Sequence, residues 1–194
     1  MNNKNQKSNG TTIIELVVVL AVFMIIIEVT FSIFISIVKH QKRILVEQEV
    51  LNQTSYITEY ISRTVRDAVK DTTGGCLLDS SRIYLLTHYD SLAGFYGGIK
   101  FVTKDNVCQE FFLDTDGVLK EIKNAQAPQN ILSSKFKIKY VRFIINGDKS
   151  LSIASFSDAV QPRVTMALDI EVQTGLTQQE KIIQTTISNS NLNI

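Results

Sequence analysis

The side chains able to do chemistry are few and scattered in this 194-residue chain. It holds two histidines, His40 and His88, and two cysteines, Cys76 and Cys108. A structural zinc site takes four Cys or His ligands at short paired spacings, and these residues offer no such set. Nucleophilic catalysis needs a base beside a nucleophile and a third group that orients the base. His40 follows Lys39, and His88 is followed by Tyr89 and Asp90, so neither keeps that company; His88 with Asp90 reads as a turn. Asp114-Thr115-Asp116-Gly117 brings hard oxygens together but lacks the further acidic ligands of a Ca2+-binding loop, and it too reads as a turn. No glycine-rich phosphate loop occurs among the 9 Gly. The expectation is a chain that is not an enzyme, with no cofactor and no metal. Two carboxylates stand out instead, because Glu15 borders and Glu28 interrupts a long apolar run.

That run dictates the elements. Residues 16–38 read LVVVLAVFMIIIEVTFSIFISIV, with Glu28 as the sole charge. About 23 residues at 1.5 Å each make a helix of about 35 Å, enough to cross a hydrocarbon core of about 30 Å. The reading is a membrane span. Lys4 and Lys7 are the only charges in residues 1–10, and under the positive-inside rule that end is cytoplasmic, although Lys39, Lys42 and Arg43 flank the other side. From 39 to 71 no Gly or Pro appears. Apolar residues recur there at Ile44, Leu45, Val50, Leu51, Ile57, Ile61, Val65, Ala68 and Val69, which predicts an amphipathic helix continuing from the span. One helix from about Thr12 to about Asp71 would be roughly 90 Å long. Its single apolar face needs a separate body to pack against. Net charge is +1, from 20 Lys+Arg and 19 Asp+Glu, so the field that gathers nucleic acid is absent and no such partner is evident.

A secretory signal peptide is cleaved after its apolar stretch at a small-residue motif, and nothing of the kind follows Val38. The turn-forming residues come before it instead, as Ser8-Asn9-Gly10, followed by Thr11-Thr12-Ile13-Ile14-Glu15. A short basic leader ending in Gly, two small residues, two aliphatic residues, Glu and a long apolar helix resembles the class III prepilin signal of type IV pilins and pseudopilins. The resemblance covers about 60 residues. It implies cleavage between Gly10 and Thr11 by a prepilin peptidase, methylation of the new terminus, and retention of the apolar helix in the inner (cytoplasmic) membrane until the subunit enters a filament. Thr11 stands where the family usually has Phe or Met, a departure that points to a minor subunit. A carboxylate near the end of a span costs about 1–3 kcal/mol to insert and usually has a partner. For Glu15 the resemblance implies an assembly role opposite a freed α-amine. The plainer alternative is a helix cap, where the macrodipole favours an anion by roughly 0.3–1 kcal/mol. Glu28, near the span's centre, reads either as a contact to a neighbouring chain or as a neutral carboxyl tolerated in lipid or bonded to its own helix.

Gly74-Gly75 is the expected stop of the long helix. Beyond it, runs rich in β-branched and aromatic residues predict strands over 82–87, 98–103, 109–113, 118–122, 136–144, 151–156, 163–174 and 181–188. Asp114-Thr115-Asp116-Gly117 and Asn146-Gly147-Asp148-Lys149 are hairpin-type connections. The fold class is therefore α+β and pilin-like: one long N-terminal helix, its first half membrane-spanning, packed on an antiparallel β-sheet. The organisation is a leader at 1–10, a transmembrane and assembly helix at 11–38, its amphipathic continuation at 39–71, and a β-rich globular domain at 72–194. The segment 173–176 with 181–189 resembles the closing hairpin of J-type minor pseudopilins. Cys76 and Cys108, beyond the span, permit one disulfide in an oxidising exterior; the alternative is two small buried thiols that never meet. Two functions from different classes are open. One is a structural minor subunit of a type IV pilus or of a secretion or competence pseudopilus, with the prepilin peptidase, other pilin or pseudopilin subunits and the membrane as partners. The other is a single-pass membrane-anchored binding or enzymatic module.

Overall fold

The computed structural model describes residues 12–80, 82–147, 161–172 and 179–189. Gly10, Thr11, the expected strand at 151–156 and the turn at 173–176 lie outside them. The elements are α1 (Ile13–Arg66) and nine strands: β1 (Ala68–Val69), β2 (Tyr84–Asp90), β3 (Phe95–Thr103), β4 (Cys108–Leu113), β5 (Leu119–Lys123), β6 (Gln129–Asn130), β7 (Phe136–Asn146), β8 (Arg163–Val172) and β9 (Gln179–Ser188). The fold is α+β, with a single long helix and one antiparallel nine-stranded sheet. Two compact units divide between Leu45 and Val46. The second contains the later part of α1 as well as every strand.

In that unit α1 buries Val50, Thr54, Ile57, Ile61, Ser62 and Val65. Steps of three and four put these on one face. The apolar four, Val50, Ile57, Ile61 and Val65, join Phe101, Phe111, Leu119, Phe143, Met166 and Leu168 in one core cluster. Each large apolar side chain removed from water there contributes about 1.5–3 kcal/mol. Leu51 stays 40% exposed, because a residue one position past Val50 is turned about 100° around the helix. Thr54 lies in the apolar stripe with its hydroxyl donating to the Val50 carbonyl at 2.6 Å, so the burial leaves no lone donor.

The helix ends at Arg66, several residues before the expected stop. The next two residues extend and pair with β3, Ala68 opposite Thr103 and Val69 opposite Val102. The end of α1 is held from outside: the Tyr84 hydroxyl donates to the Val65 carbonyl at 2.8 Å. Asn189 donates from its side-chain amide to the Ala68 carbonyl at 2.9 Å and to the Tyr84 oxygen at 3.0 Å. Burial pushes the Tyr84 hydroxyl up to about 12, so it stays a neutral donor.

Asp71 then organises the loop. One carboxylate oxygen accepts from the amides of Thr73 and Gly74 and from the Thr73 hydroxyl, the other from the amides of Cys76 and Leu77 at 2.9 and 2.8 Å. Burial would raise this carboxyl, but the donors of Leu77, Cys76 and Thr73 outweigh it and hold it at about 2. A depressed carboxyl stabilises the fold above its unfolded value, and that stability is lost as pH falls through the folded one. Asp71→Asn should cost about 1–2 kcal/mol at pH 7, allowing for solvent screening. The difference between the variant and the wild type should shrink as pH drops below about 4, to well under half by about pH 2.5, and be lost below about 2. Urea midpoints measured at pH 7 and at pH 2.5 check this; an equal difference at both would contradict it.

The sheet runs β6-β5-β4-β3-β7-β8-β9, with β1 and β2 also on β3. Tyr96 pairs with both Tyr89 and Phe143, while Gly98 pairs with both Thr87 and Phe112. One edge of β3 therefore carries β1 and β2, and the other carries β4 and then β7. The expected turn at 114–117 closes the β4 and β5 hairpin, with Gly117 at φ 73°. A Cβ there would come within 3.0 Å of the Ile138 carbonyl, so glycine is required twice over. In β7 the alternation changes phase: Phe136 and Ile138 are buried, then Val141 and Phe143, because a bulge shifts the register between Ile138 and Tyr140.

Candidate functional site

The first unit offers an apolar helical surface. Phe23, Ile25, Phe31 and Phe34 each expose more than half of their surface. Among the described residues α1 is the one helix long and apolar enough to cross a membrane. The Thr30 hydroxyl donates to the Ile26 carbonyl at 2.7 Å, which leaves that polar side chain internally satisfied, as a lipid environment requires. Among the described residues the carboxylate of Glu28 takes part in no hydrogen bond or ion pair. It is not bonded back to its own helix.

Thr12 caps the helix start. Its carbonyl accepts from the amide of Leu16 at 3.2 Å, and its hydroxyl accepts from the amide of Glu15 at 3.4 Å. Thr12-Ile13-Ile14-Glu15 thus has the spacing of a capping box, with Glu15 at the third helical position. That signal is legible in the sequence as Thr-x-x-Glu.

In the second unit Cys76 and Cys108 form a disulfide, with Cα atoms 5.7 Å apart. It joins the Asp71 loop to the start of β4. His88 differs from the expectation of a turn: it lies within β2, and the turn follows at 91–94. Its ring stacks on Phe112 at 4.3 Å between centroids, and its Nε2 lies 3.3 Å from Glu110. A Cβ on Gly98 would meet the His88 ring at 2.9 Å, so the imidazole fills the space that Gly98 leaves open. His88 is engaged in packing and has no nucleophile placed against it.

Asp114 pairs with Lys120 and accepts from the amide of Thr115 at 2.7 Å. The Lys120 ammonium, and then the Thr115 amide, lower its carboxyl. No group of three metal-ligating side chains occurs among the described residues.

Two polar networks were not legible beforehand. Tyr60 donates to Glu121 at 2.6 Å and Gln109 donates to the same carboxylate oxygen, while Lys123 lies 3.1 Å from the Tyr60 oxygen. Lys139, at the bulge, lies 2.6 Å from Glu180 and 3.9 Å from Glu171. Burial first, and then the Glu180 carboxylate, raise Asp169, whereas Lys139 lowers Glu180. The first ties α1 to β4 and β5 and the second ties β7 to β8 and β9, each through pairs distant in sequence such as Tyr60 with Glu121 and Lys139 with Glu180. Comparison with family models, with curated proteins and with solved structures gives no significant match.

Proposed function

We propose that this chain is a structural minor subunit of a pilus or pseudopilus, processed at Gly10 and assembled through α1. What carries the reading is the start of α1. Thr12 caps a helix whose first part is bare and apolar apart from Glu15 and Glu28, and Gly10 stands two residues before that cap. A plain tether has no need of a helix that continues from a bare apolar segment into residues buried in a core, as α1 does between Ile13 and Arg66. In this reading the subunit waits in the cytoplasmic membrane with its leader inside and its sheet outside. The prepilin peptidase and other subunits are its partners, and its role is architectural rather than enzymatic. The disulfide suits an oxidising exterior.

Intact-mass measurement of the protein from its native membrane is expected to show loss of residues 1–10 and a methylated terminus at Thr11. Gly10→Leu should leave the leader attached, since a side chain at that position blocks the peptidase. A mature species beginning at Met1, or one beginning after Val38, would sink the proposal. Immunodetection of the chain in sheared surface filaments separates the assembled subunit from a tethered module.

A further inference from the structure

Three irregularities of the sheet converge on one place. β4 and β7 share an edge of β3 and must part near Gly97, which brings no side chain of its own to the fork. The Lys139 bulge lies on one side of it. His88 lies on another, held at φ 53°, a conformation uncommon for a residue with a side chain. Between them is an open cleft of about 600 Å3, within the range that holds small ligands.

Its walls define the ligand chemistry. Phe95 and Tyr140 line it with their rings 6.1 Å apart and at 62° to each other. Tyr89 forms its rim, 59% exposed and 4.9 Å from Tyr96. Asp90 and Asp114 bring carboxylates, the first already accepting from the amides of Leu92 and Ala93 and the second paired with Lys120, each with lone pairs left to accept a hydroxyl, and Thr115 brings a hydroxyl of its own. Lys139 is the cation at the cleft, and it is neutralised by Glu180 at 2.6 Å. Among the described lining residues an anionic ligand would find two carboxylates and no uncommitted lysine. A flat, uncharged ring with C–H groups on its faces and hydroxyls on its edges fits both the aromatic walls and the acceptors. We propose that this cleft binds a neutral saccharide, seated on Tyr140 and Phe95 with its hydroxyls donating to Asp90 and Asp114.

The test uses the full chain in micelles of a phosphocholine detergent, which has no sugar headgroup. It is applied to an array of neutral oligosaccharides of glucose, galactose, mannose and N-acetylglucosamine, together with sialylated glycans and a peptide library. Retention of a neutral glycan is expected. Tyr140→Ala and Asp90→Ala should each weaken it roughly ten-fold, the loss of one aromatic platform or one acceptor pair, without moving the thermal midpoint by more than a few degrees. Should either variant fold poorly, titrating the retained glycan into wild-type protein with labelled aromatic rings decides. The Phe95 and Tyr140 resonances should shift and those of exposed Tyr56 should not. No neutral glycan retained, retention of only sialylated glycans or peptides, or shifts confined to residues away from the fork would each overturn the proposal.

Discussion

Replacing Cys76 and Cys108 together by alanine is expected to lower the unfolding free energy by about 3–4 kcal/mol. The bridge closes a loop with a sequence separation of 32 residues, holding all of β2 and β3. Opening it lets the unfolded chain explore conformations that the link forbids, while the folded sheet loses only local packing. That packing is small: Cys76 is buried against Leu77 and Val102, beside the half-buried Cys108. A loss of this size should drop the melting temperature on the order of 10 °C. Thermal and urea unfolding of the full chain, with and without a reductant, provide the check. Reductant should bring the wild type down to the double variant and leave the variant where it is. A variant melting within a degree or two of the wild type would show that the bridge closes a loop already constrained in the unfolded state.

Glu15→Val is expected to leave membrane insertion and Gly10 cleavage intact while cutting incorporation into filaments by an order of magnitude or more. On the proposed function, cleavage leaves an α-amine at Thr11, about one helical turn from the Glu15 carboxylate. Assembly carries both groups out of the headgroups and among packed apolar helices, where an uncompensated charge costs several kcal/mol. Two opposite charges at about 4 Å, with an effective dielectric near 20, attract by roughly 4 kcal/mol. Paired charges are therefore tolerable there and a lone amine is not. Pairing between subunits would also set the register along the filament. Glu15→Asp, with a shorter reach, should do part of the damage. The measure is the ratio of subunit in sheared filaments to subunit left in the membrane. Wild-type incorporation of Glu15→Val would reduce Glu15 to the helix-start role that its spacing from Thr12 already provides.

Much of the fold was legible because its signals are local. A start of α1 just after Thr12 follows from the apolar run, and seven of the strands follow from runs rich in β-branched and aromatic residues bounded by turns. The end of α1 was not legible. Ala68 and Val69 continue the apolar stripe of a helix as well as they form an edge strand, and only the partners Thr103 and Val102 on β3 select the strand. His88 reads as a turn because His-Tyr-Asp resembles one; Gly98 and Phe112, met across two strand pairings, keep it inside β2. The bulge at Lys139 leaves a trace in the change of phase from Phe136 and Ile138 to Val141 and Phe143.

The sequence by itself determined the elements of this protein: a helix long and bare enough for lipid, an amphipathic continuation, a sheet, and two cysteines able to pair. Those properties depend on residue type, length and spacing within a few turns of chain, where physical chemistry acts on near neighbours. Only the tertiary structure decided that Cys76 meets Cys108, that Asp71 gathers the amides of its loop, and that β4 and β7 fork around Gly97. These arrangements depend on which strands share an edge of β3. That choice is made by burying the core as a whole, and no short stretch of sequence carries it.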